Sequence, residues 1–97
     1  VGTTVITPTV TLDNCKNGWM LIWGDDTGTD DWSYEPIYQV IIRGETLIQH
    51  MNGGTIGDGS SVSKVMTVNV AGTTISGNDN NASATNTKRH LKRIVAF

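Results

Sequence analysis

The sequence holds one cysteine in 97 residues, so Cys15 can form neither an internal disulfide nor a pair of metal-ligating thiols. It reads instead as the filler of a small apolar site. Charge is also scarce. Only 16% of residues are Asp, Glu, Lys or Arg and the net charge is −2, which argues against the basic footprint of a nucleic-acid binder. No run approaches the ~20 apolar residues of a membrane-spanning helix, and no basic start leads into an apolar stretch as in a secretory signal. The first residue is Val1 rather than Met, and the chain is expected to be a piece of a longer protein or a processed product. The familiar catalytic signatures are missing: no Gly-x-Ser-x-Gly elbow, no His-Glu-x-x-His, no phosphate-cradling Gly-x-x-x-x-Gly-Lys. Neither His50 nor His90 sits in a motif, so no enzyme activity, cofactor or metal is expected.

What the chain does contain is Thr, Val, Ser, Asn and 11 Gly, a mixture suited to pleated strands and tight turns rather than to helices. Three Trp and two Tyr, with many Val and Ile, give it enough to bury against the cost of ordering. Its length makes one domain, residues 1–97, with a thin core.

Along the chain, residues 5–12 alternate Val10 and Leu12 with Thr9 and Thr11 and predict a half-buried strand, at an edge or irregular near Pro8. Trp19-Met20-Leu21-Ile22-Trp23 is a short apolar run bounded by Gly18 and Gly24, which predicts a central strand covered on both faces. Trp19 and Trp23 belong to the core. Residues 37–42 and 45–51 predict a hairpin about Arg43-Gly44, with a helix over 45–51 as the other option. Residues 52–61, with four Gly, are read as a loop. Met66, Val68 and Val70 set a period of two, and 73–76 continue it after a bend. Residues 77–86 read as a polar loop, with Asn78-Asp79-Asn80-Asn81 as a turn using Asx side chains. In the last segment Leu91, Val95 and Phe97 share a face that Arg93 interrupts, which calls for a bulge or a paired Arg93. The fold class is therefore all-β, a small antiparallel sandwich or barrel.

Five of the nine acids lie in residues 25–35 and four of the seven bases in 88–93, a segregation open to pairing, subunit contacts, a ligand or plain solvation. The loop 25–31 offers four carboxylates and two hydroxyls but lacks the spacing of a known calcium loop, so a solvated loop is favoured over a metal site. Trp32 and Tyr34 follow it directly. A loop Trp beside Asp30 and Asp31 suits sugar recognition, the ring stacking on C–H groups while carboxylates take hydroxyls. Packing of Trp32 on the end of the fold or at a subunit contact is the other reading.

The segment Asn17-Gly18-Trp19-Met20-Leu21-Ile22-Trp23 followed by a polar loop resembles the Gly-Trp-x-x-x-Trp strand in C-terminal domains of siphophage tail and baseplate proteins that infect Gram-positive hosts. A late strand at 68–70, the turn Ile75-Ser76-Gly77-Asn78-Asp79-Asn80-Asn81 and the basic-apolar stretch 89–95 follow in the order of that family. Gly24 stands where the family often has Ser, and no Lys follows Pro36 as an Ile-Pro-Lys-like stretch would require. The resemblance implies a jelly-roll-like antiparallel head, homotrimeric, at the virion's tail tip or baseplate, beside other tail proteins. There it would dock on host cell-wall polysaccharide or a teichoic-acid-like polymer, with no nucleic acid and no membrane insertion. On this reading Asp30, Asp31, Trp32 and Tyr34, with His50 or Arg89, line the site. A structural trimerisation module without a ligand is the alternative. A wall glycoside hydrolase using acids of residues 25–35 is disfavoured, because two carboxylates in one loop of so small a domain rarely hold the separation of about 5–9.5 Å that the reaction needs.

Overall fold

A computed structural model describes residues 4–24, 33–41, 43–52, 61–83 and 85–97. Seven strands occur among them: β1 (Val5–Ile6), β2 (Gly18–Gly24), β3 (Ser33–Tyr38), β4 (Thr46–Asn52), β5 (Ser61–Val68), β6 (Ile75–Ser76) and β7 (His90–Ala96). They form two antiparallel sheets, of order β1-β6-β5-β4 and β3-β2-β7, packed as an open sandwich and not a closed barrel. Alternation decides what lies between the sheets. Trp19, Leu21, Trp23 and Ile37 from one sheet meet Met51, Val62, Met66, Val68 and Ile75 from the other, and Leu12 closes one end.

The apolar run 19–23 is the middle strand of its sheet, as its composition predicts, but its two faces are not equally covered. Trp19, Leu21 and Trp23 are fully buried, whereas Met20 and Ile22 on the opposite face are half-exposed. Gly18 opens this strand because of crowding: a Cβ there would collide with the Ile37 carbonyl oxygen across the β2–β3 ladder.

Two expected elements differ. The strand over residues 5–12 ends at Ile6, before Pro8, which cannot donate to a ladder. The following chain folds over the sandwich end instead. Leu12–Asn14 is a 3₁₀ turn, the Val10 carbonyl accepts the Trp19 indole N–H at 2.8 Å, and the Leu12 amide donates to Gly72 O at 2.8 Å. The hairpin about Arg43-Gly44 is also absent, because β3 pairs with β2 while β4 pairs with β5 in the other sheet. The intervening chain crosses between sheets and is pinned to the 3₁₀ turn. The Gln39 amide donates to the Cys15 and Asp13 carbonyls, and Arg43 bonds Asp13 at 2.7 Å. Ile41 packs on the core while Val40 stands 91% exposed at the outside of the crossing. Residues 45–51 are strand rather than helix from Thr46 onward.

Of the two options for Arg93, a bulge or a paired side chain, the bulge is present. The β2–β7 register shifts between Ile22 and Trp23, so Ile22 faces Arg93 but Trp23 faces Leu91. Lys92 is the extra residue. The shift splits the expected apolar face: Leu91 and Ile94 turn to the core, while Arg93 and Val95 lie on the outside.

The turn at 75–81 has a structural task. Asn78 caps a 3₁₀ turn, Asp79–Ala82, by accepting from the Asn80 amide. Asn81 is then buried against β5, accepting from the Val65 amide at 2.7 Å and donating to the Val65 carbonyl at 2.9 Å. Asn86 accepts from the Ser63 amide two residues earlier. Along β5, β6 reaches only Thr67 and Val68, so beyond it two side-chain amides take the role of a neighbouring strand.

Candidate ligand-binding surface

The outer face of β3-β2-β7 is built by the residues that alternate with the core. Register sets them in rows across the three strands: Tyr34, Ile22 and Arg93 in one, Pro36, Met20 and Val95 in the next. Tyr38 lies opposite Gly18, and its ring tilts against Phe97 with centroids 6.0 Å apart. Tyr34 and Tyr38 are 61% and 53% exposed, four residues apart on one face and hence about 13 Å apart along the strand. Strand spacing sets Tyr34 and Arg93 about 10 Å apart across the sheet. The result is an aromatic and aliphatic platform with a cation at one margin.

At that margin the chain after β1 faces the free edge of β7. A cleft of about 290 Å³ lies between them, lined by Ile6, Thr7, Pro8 and Thr9 on one side and Leu91, Lys92, Arg93 and Ile94 on the other.

The expected site residues are scattered. Asp30, Asp31 and Trp32, with the rest of the acidic loop, lie outside the described residues. Tyr34 is on the platform. His50 is exposed on the outer side of β4, in the other sheet, and its Nδ1 shares a 2.9 Å hydrogen bond with Ser63 Oγ. Tyr34 and His50 thus face away from each other across the sandwich. Arg89 is only 1% exposed, and the exposed cations of its segment are Lys92 and Arg93. Sequence reasoning missed Tyr38 and the approach of residues 6–9 to residues 91–94. Tyr38 ends β3, where the local pattern predicts the start of a hairpin strand.

Charged groups inside the sandwich also went unread. Lys64 is buried on the inner side of β5 with its Nζ 5.7 Å from the Trp23 ring centroid, and the Trp23 indole donates to Gln49 Oε1 at 3.1 Å. Glu35 stands on the inward side of β3, and burial pushes its carboxyl above the usual glutamate range. Burial likewise raises the Cys15 thiol, whose Sγ lies 3.4 Å from the Thr11 carbonyl, so this cysteine is an inert filler. Among the described residues no group of three or more His, Cys, Asp or Glu could hold a metal ion. No family model, no curated protein and no solved structure matches this chain.

Proposed function

We propose that this domain is a non-enzymatic attachment module at the tail tip or baseplate of a virus of Gram-positive bacteria, and that it holds host cell-wall saccharide on the outer face of β3-β2-β7. The observation that carries the saccharide reading is the exposed Tyr34 and Tyr38 aligned on one face, with a cation at the end of the Tyr34 row. A tyrosine ring offers an apolar face for sugar C–H groups and a hydroxyl for their polar rims, at a low cost in side-chain ordering. The viral placement is supported by the order of the Trp19–Trp23 strand, the 75–81 turn and the basic terminal strand. Trimerisation would raise the avidity of so open a site by about 10²–10⁴ without new contacts.

A second reading has its own support. Pro36, Met20, Ile22 and Val95 make the middle of the platform aliphatic, as a contact with another copy or another tail protein would require. Binding to isolated host walls, with light scattering of the free domain, separates the two. Wild-type binding that Tyr34→Ala removes, with the fold intact, supports the saccharide site. A trimer that binds no wall and dissociates with Val95→Asp supports the structural module instead. Release of soluble sugar from walls would displace both in favour of a hydrolase.

A further inference from the structure

We infer that the open edge of β4 is a pairing surface for the β4 edge of a second copy of this chain, joining two four-stranded sheets across a two-fold axis. Among the described residues the two sheets end in four edge strands, and three of these carry devices that blunt an edge. β1 has only two residues. β3 contains Pro36, which has no N–H to offer, and the Pro36 carbonyl accepts from the Gln49 side-chain amide at 3.4 Å. β7 is interrupted by its bulge and carries Lys92 and Arg93. β4 has none of these. Thr46–Asn52 runs for seven residues without Pro, Gly, Asp, Glu, Lys or Arg, and it pairs with β5 one to one along its whole length. A regular, uncharged strand of this length at an edge is a template for a further strand.

The hydrogen bonds of β5 fix which groups of β4 face outward. The Ser63 and Val65 amides are taken by Asn86 and Asn81, on the side away from β4. Alternation then turns the backbone groups of Val62, Lys64 and Met66 toward β4, where they meet Met51, Gln49 and Leu47. Thr46, Ile48, His50 and Asn52 therefore direct their N–H and C=O groups to the open side, where no described strand lies. The Thr46, Ile48 and His50 side chains are exposed on the outer face of the sheet, Ile48 by 50%.

A second copy fits because this edge is its own complement. With Gln49 opposite Gln49 of the other copy, all seven residues overlap, Ile48 lies opposite His50 of that copy, and every outward backbone group finds a partner. The strand carries no acid, Lys or Arg, so pairing with itself sets no such like charges opposite one another. Such a contact uses the same patch on both copies and closes at two. It is smaller than the roughly 1,000 Å² of a stable interface, so association is weak, half complete at about 0.1–1 mM. The contact lies on the other sheet from the Tyr34 platform and stands apart from the attachment reading.

Sedimentation equilibrium of the 97-residue chain from about 10 µM to 2 mM, with amide hydrogen exchange at both ends of that range, tests the pairing. The average mass should rise with concentration from 10.4 kDa toward twice that value. Exchange at Ile48 and His50, whose amides point outward, should slow severalfold in the concentrated sample. Exchange at Leu47 and Gln49, already bonded to β5, should not change with concentration. Ile48→Lys places two lysines diagonally across the axis and should weaken association by about tenfold or more. Adding His50→Glu, which sets a carboxylate opposite each lysine, should recover part of that loss. A chain that stays monomeric throughout overturns the proposal, as does an assembly that Ile48→Lys leaves unchanged. Exchange at Ile48 and His50 that is independent of concentration overturns it without any variant. Wall binding by such a monomer would leave the attachment reading standing while this inference fails.

Discussion

The two faces of the β3-β2-β7 sheet come from alternate residues of the same strands and have opposite fates. Inward, Trp19, Leu21, Trp23 and Ile37 are sealed against the second sheet. Outward, Tyr34, Ile22, Met20, Tyr38 and Val95 are also largely apolar, yet the two tyrosines stay more than half exposed, Tyr38 touching only Phe97 with its ring. The inner face uses its apolar surface for folding, at about 25 cal/mol per Å² removed from water. On the proposed reading, the outer face retains that surface for a ligand outside the domain. A strand apolar on both sides thus presents one sealed and one open face, and its composition alone does not separate them.

The comparison is tested most severely at Trp23. Trp23→Ala should cost about 3–5 kcal/mol, because a large ring is lost from a packed core. Gln49 and Lys64, which now face that ring, would then border a cavity. Chemical denaturation with the midpoint and slope both fitted measures it, and a loss under about 1 kcal/mol would mean that the inner face is not the core.

The next effect cuts across the division, since a polar loop residue should behave like the inner face. Asn81→Ala leaves the amide and carbonyl of Val65 without their partner, at about 1–3 kcal/mol for each buried group. Asn80→Ala, one residue away at an exposed position, should stay within about 0.5 kcal/mol. Equal losses for the two would remove the strand-like role of Asn81. Hydrogen exchange at Val65 gives a local reading of the same point.

These residues mark how far the sequence is legible. The length and boundaries of 19–23 announce a central strand, and Arg93 breaking an apolar face announces either a bulge or a paired side chain, because both are local patterns. The hairpin at 37–51 misleads for the opposite reason. Arg43-Gly44 is a good local turn signal, but Gln39 and Arg43 are captured by residues 13–15, which no local pattern encodes. Asn81 is chemically indistinguishable from its neighbours as a turn former, and only the early end of β6 gives its amide a strand's work. Of the candidate site, Tyr34 was legible by its position after the acidic loop. The cleft was not, since its walls come from opposite ends of the chain.

On the outer face the expectation inverts. Tyr34→Ala and Tyr38→Ala should change stability by no more than about 0.5–1 kcal/mol, the scale of exposed positions and of one aromatic contact. Tyr34→Ala should nevertheless weaken wall binding by about tenfold or more, the usual scale for an aromatic anchor. If it instead destabilises the fold as much as Trp23→Ala does, the two faces are not functionally distinct.

The smallest effect concerns the acid on the wrong side. Glu35 faces inward, and burial raises its carboxyl above the ordinary value. Because the folded state then holds its proton more tightly than the unfolded chain, this group favours folding at low pH. Its contribution is lost as pH rises from the ordinary glutamate range through the raised folded value. Asp13 has the opposite sign: the hydrogen bond and charge of Arg43 lower its pKa, so its contribution is present at neutral pH and fades as pH falls through that lowered value. Glu35→Gln should therefore raise stability slightly at neutral pH and flatten the decline above the carboxylate range, while leaving the contribution of Asp13 on the acid side unchanged. Denaturation midpoints of the variant and the parent across that range read both limbs. A Glu35→Gln protein that loses stability at neutral pH would mean that the ionised carboxylate is held by a partner, and that the inner face tolerates charge at this edge as the outer face does at Arg93.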